Sequence, residues 1–128
     1  MVGTWTLNVA KSSGAAVPRS DARTYTAVEG GVKFTMKRVT AEGKEISAQT
    51  TYKYDAKDYP ITGTPDYDTV SARRIAGQSV EITQKKAGKV VGITQCAVSR
   101  DGKTLTLVTR STNAKGTVVS TTLVFDRR

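Results

Sequence analysis

The chain has 128 residues and a net charge of +9, from 20 Lys plus Arg against 11 Asp plus Glu; that length builds one domain. Its 38% apolar content is too high for a disordered chain, and no apolar run approaches the roughly 20 residues of a membrane-spanning helix. With no histidine and one cysteine, Cys96, it forms no intrachain disulfide and excludes Ser-His-Asp and Cys-His catalysis, proximal-His haem and imidazole zinc sites.

The first predicted strand covers 3–9 and opens on Gly3-Thr4-Trp5, with Trp5, Leu7 and Val9 on its inner face. Residues 10–22, with Gly14, Pro18 and three serines, have the composition of a loop crossing one barrel end. Strands 23–29 and 32–39 flank Gly30-Gly31, and the second buries Val32, Phe34 and Met36 by strict alternation. Strand 44–54 follows Gly43 and turns Ile46, Ala48, Tyr52 and Tyr54 inward. Residues 55–66, with Pro60, Gly63 and Pro65, form a second irregular crossing that includes a short strand near 59–62.

Strands 67–75 and 79–86 come next, the latter placing Val80, Ile82 and Gln84 inside. Strand 89–99 is apolar on both parities, Val91, Ile93 and Ala97 against Val90, Cys96 and Val98, and a bulge there would exchange its faces. Asp101-Gly102 is the strongest hairpin signal, since both residues tolerate positive φ. It leads into strand 103–111, with Leu105, Leu107 and Thr109 inward, and the turn Asn113-Ala114-Lys115-Gly116 leads into strand 117–126. No window shows a sustained 3.6-residue period, so little or no helix is expected. Short hairpins make consecutive strands antiparallel neighbours, and closure removes their edges. The expectation is all-β: one up-and-down antiparallel β-barrel of eight to ten strands, spanning 1–128.

Gly3-Thr4-Trp5 resembles the Gly-x-Trp signature of the calycin superfamily, which includes lipocalins, fatty-acid-binding proteins and avidin-like barrels. The resemblance implies that Trp5 closes one barrel end under a cation from the last strand, here Arg127, which shares the parity of Phe125. The stretch from Lys57-Asp58-Tyr59-Pro60 to Phe125-Asp126 resembles uncharacterised bacterial lipocalin-like proteins, which implies an exported origin, periplasmic or secreted. The first strand starts at once at Gly3, as in a cytosolic chain or one whose leader was replaced by a start Met. Two departures separate the sequence from fatty-acid-binding proteins. The 10–22 crossing is too short for their helical lid, and their last-strand Arg-x-Tyr clamp maps onto Leu123 and Phe125.

The interior so assigned is mixed. Tyr25, Phe34, Met36, Tyr52 and Tyr54 line it on one side, and Ile82, Gln84 and Leu107 on the other. Arg74, which follows Val70 and Ala72 in parity, is the candidate anion contact, whereas Arg110 falls on the outer face. Such a cavity suits noncatalytic binding of a small hydrophobic or amphipathic molecule, anionic if Arg74 takes part, with no cofactor and no metal. The alternatives are a histidine-free isomerase or lyase using Tyr or Asp in the same cavity, and a filled barrel acting through its surface. Asp55, Asp58, Asp66 and Asp68 are near in sequence but lack EF-hand spacing, and read as turn residues. Cys96 reads as a small buried filler. The basic residues are scattered, and Tyr52 and Tyr54 face away from Lys53, which disfavours nucleic acid. Substitution of Trp5 by Ala is expected to cost ~3–5 kcal/mol.

Overall fold

A computed structural model describes residues 1–14, 17–77, 79–112 and 115–128. The turn expected at Asn113-Ala114 therefore lies partly outside the described residues. The strands are β1 (Gly3–Leu7), β2 (Ser13–Gly14), β3 (Ser20–Val28), β4 (Gly31–Val39), β5 (Glu45–Lys53) and β6 (Tyr59–Pro60). They continue as β7 (Thr69–Ala76), β8 (Ser79–Lys86), β9 (Lys89–Val98), β10 (Thr104–Thr112) and β11 (Val118–Arg127). Among the described residues the helical structure is one 3-10 turn, Val9–Lys11, and no helix is long and apolar enough to cross a membrane.

All pairings are antiparallel, in the order β5-β4-β3-β1-β11-β10-β9-β8-β7-β6. The first and last long strands are thus neighbours, with Trp5 opposite Arg127. The sheet nearly closes between β5 and the segment after β6. There Gln49 and Thr62 exchange backbone hydrogen bonds of 3.0 and 3.1 Å, and the Thr50 hydroxyl donates to the Pro60 carbonyl at 2.7 Å. Gly63 makes this seam possible. Its φ is +90°, and a Cβ at that position would collide with the Ser47 carbonyl oxygen.

Two parts of the 3–22 segment differ from expectation. The first strand ends at Leu7, because the Asn8 side chain accepts from the Lys11 amide (3.2 Å) and caps the 3-10 turn; Val9 is exposed there rather than buried. The chain then returns as β2 to pair with Thr121 and Thr122 of β11, in line with β1. The next strand begins at Ser20, three residues before the expected start, which brings Asp21 onto the sheet.

Side chains fill one end of the barrel. Trp5, Leu105 and Phe125 are fully buried there, packed with Val32, Ala72 and Val80. The Arg127 guanidinium lies 4.4 Å from the Trp5 ring centroid, and the indole N–H donates to the Met1 carbonyl at 3.0 Å. Glycine at position 3 leaves room for this stack, since a Cβ would run into the Arg127 guanidinium. The Met1 amine is held below its ordinary value by partial burial and by neighbouring Arg127 and Arg74.

Candidate functional site

The other half of the barrel is hollow. A cavity of about 500 Å³ begins above the packed end and extends to Tyr67, Val91, Ser111 and Thr112, at the strand ends remote from Trp5. Seven of the residues expected to line an interior cavity do so: Tyr25, Phe34, Met36, Tyr52, Ile82, Gln84 and Leu107. Alternation explains them, since each lies on the inward parity of its strand. The open question in β9 is also resolved. A register shift after Gln84 places both Val91 and Gly92 on the cavity, so Thr94 and Cys96 point inward and Ile93 outward.

Tyr54 and Arg74 are corrections. Neither lines the cavity. Both lie past the packed end, where Trp5, Ala72 and Val80 occupy the interior and leave side chains further along no inward space. Tyr54 is half-buried with its ring edge-on to Tyr52, centroids 5.9 Å apart. Arg74 is exposed and stacks over Tyr54 at 4.6 Å. Arg110 is exposed, on the outer face.

The charged centre of the cavity lies instead on β3 and β4. Asp21 pairs in register with Arg38, and Arg23 stands two residues along the same face. Arg23 Nε and Nη2 donate to the two Asp21 carboxylate oxygens at 3.0 and 2.6 Å, and Arg38 Nε donates to Oδ2 at 2.7 Å. The Arg23 guanidinium also contacts the Met36 sulfur at 3.4 Å and lies 4.5 Å from the Phe125 ring centroid. The Asp21 side chain is fully buried and that of Arg23 is 6% exposed, whereas Arg38 is 25% exposed and lines the cavity. Burial draws the Arg23 guanidinium down, but the adjacent Asp21 carboxylate and Tyr25 hydroxyl outweigh it, and the group is held above its ordinary value.

The polar groups of the opposite wall form a chain. Gln84 donates to the Thr94 hydroxyl at 2.8 Å, and Thr94 meets the Thr109 hydroxyl at 2.8 Å. Burial pushes the phenols of Tyr25, Tyr52 and Tyr67 up, opposed at Tyr67 by Arg23 and Arg38. Burial pushes the Cys96 thiol up to about 12. The tyrosines therefore stay neutral hydrogen-bonding groups and the thiol stays protonated near neutral pH.

Three of the four aspartates are engaged, each with separate partners. Asp55 accepts from the Tyr59 hydroxyl at 2.6 Å and the Lys57 amide at 3.1 Å, and Asp58 pairs with Lys85 at 3.0 Å. Asp68 accepts from the Ala87 amide at 3.1 Å and the Thr69 hydroxyl at 3.0 Å. Asp66 stands exposed on the cavity rim. No model of a known protein family matches the chain, and no curated protein matches it significantly.

Proposed function

We propose that the protein binds a small, partly apolar molecule noncatalytically inside the barrel, as the calycin resemblance implies. The observation that carries this reading is the half-hollow interior. A cavity of about 500 Å³ falls within the ~300–1,000 Å³ of small-molecule sites. Its lining sets aliphatic and aromatic groups (Phe34, Ile82, Leu107) against a few oriented polar ones (Gln84, Thr94, Arg38). Packing at the Trp5 end supplies a rigid base, so the cavity is preformed.

The isomerase or lyase alternative needs a group poised to move a proton near neutral pH. The tyrosines of the cavity are shifted away from that range, and the Asp21 carboxylate oxygens are taken up by hydrogen bonds from Arg23 and Arg38. Binding is therefore the better reading. Native mass spectrometry of gently purified protein, followed by identification of what denaturation releases, tests it together with Leu107→Trp. A stoichiometric adduct that Leu107→Trp abolishes while remaining folded is expected. An adduct that survives the filled cavity places the ligand elsewhere and contradicts the reading.

A further inference from the structure

The Asp21–Arg23–Arg38 cluster carries two positive charges and one negative, with Asp21 and Arg23 buried and Arg38 a quarter exposed on the cavity wall. Stability does not account for it. A buried ion pair gains little over apolar packing of the same volume, and the Asp21–Arg23 pair is already matched without Arg38, which adds an excess positive charge on the cavity wall. We propose that the cavity ligand carries one anionic head group, a carboxylate on an apolar body, received by Arg38 with Arg23 behind it. This inference rests on the ligand-binding reading above.

The geometry divides the work between the two arginines. Arg23 is committed to Asp21 through two nitrogens and is clamped between Met36 and Phe125. Arg38 commits only Nε to that carboxylate, and among the described residues no hydrogen bond is found for its two terminal nitrogens. Asp21 thus holds the Arg38 side chain in place and leaves the terminal pair to receive a ligand. Carboxylates fit such a pair of parallel N–H donors. A cluster with one excess positive charge is neutralised by a monoanion, and a dianionic phosphate would overshoot it. Tyr67 lies close enough to feel the field of both arginines and lines the same cavity.

The competing anions near Arg38 are Asp66, which lines the cavity mouth, and Glu42, which lines an adjoining surface groove with Arg38 and Asp66. Both are exposed and form no ion pair with Arg38 among the described residues. Solvent screens carboxylates placed there. Below the head group, Ile82, Leu107, Leu123 and Phe34 provide apolar wall for the body of the ligand. The anion site is therefore on β3 and β4, not on the final strand, where Leu123 and Phe125 face inward.

Calorimetric titration with decanoate and decanol, a matched charged and neutral pair, tests the proposal. The unaltered protein is expected to bind decanoate about tenfold or more tightly than decanol, the scale of one charge-assisted bidentate contact. Arg38→Gln should abolish that preference and leave decanol affinity unchanged, with Trp5 fluorescence reporting that the variant folds. Arg38→Lys should restore part of the preference. Equal affinities in the unaltered protein, or a preference that survives in Arg38→Gln, would overturn the anion site alone. Failure of the unaltered protein to bind either compound would overturn the ligand-binding reading and this inference with it.

Discussion

Asp21 is the residue on which the interior electrostatics turn. It is 2% exposed and accepts three charge-assisted hydrogen bonds from Arg23 and Arg38. Asp21→Asn keeps the shape but leaves Arg23 buried without its counter-charge, and removing one partner of a buried pair costs about 3–5 kcal/mol. Chemical denaturation should show a loss of that size, and a loss under about 1 kcal/mol would mean that the cluster is more hydrated than its geometry indicates. Cys96 sets the first step of alkaline destabilisation, because its ordinary value lies below that of the buried tyrosines. Its folded value of about 12 exceeds the ordinary 9.0, so the unfolded chain ionises first and the folded state binds the extra proton. The stabilisation is intact below about pH 9 and is lost as pH rises toward 12, with a slope of at most about 1.4 kcal/mol per pH unit. Melting temperatures between about pH 8 and 9.5 should fall less steeply in Cys96→Ala, below the ordinary 10.0 at which the unfolded chain's tyrosines ionise.

The seam between β5 and the segment after β6 is the least reinforced joint in the barrel. One pair of backbone bonds, Gln49 with Thr62, and the Thr50–Pro60 contact close it, whereas β10 and β11 pair over nine residues. Gly63→Ala would force a Cβ against the Ser47 carbonyl at a φ of +90°. Hydrogen exchange should then show lower protection at the Gln49 and Thr62 amides with β9 and β10 unaffected; unchanged protection at those two amides would show that the seam tolerates the substitution. The elements of the barrel were largely legible in the sequence because glycine turns and period-2 alternation are local signals. Leu105, Leu107, Val80, Ile82 and Phe34 each followed from their neighbours' parity. The start of β3 was not legible. Pro18, Ser20 and Asp21 have loop composition, and only pairing with β4 makes a strand of them. With Asp21 assigned to a loop, Arg23 and Arg38 had no visible partner. Their parities, shared with Tyr25 and Met36, nevertheless pointed inward. Arg74 shows the converse. Its parity was inward, but the barrel at its level is already filled, which alternation along one strand does not register.

At the scale of the whole molecule, packing and charge are unevenly distributed. One half is a dense core around Trp5, Leu105 and Phe125, and the other is a cavity bounded by β3, β4, β5 and the strands from β7 to β11. The net charge of +9 draws anions toward the surface from any side, and the proposed anion site is the inward-facing cluster. A core alone would stabilise the barrel better if the second half were packed as the first is. The hollow half, with its oriented hydroxyls and paired arginines, is what a binding site requires. Amide shift mapping by heteronuclear NMR during titration with decanoate tests that central claim most directly. The account predicts saturable shifts clustered at cavity residues such as Gly92, Thr94, Leu107 and Arg38, with the Trp5 end little changed. Shifts confined to the outer faces of the strands, or none at millimolar probe, would contradict it.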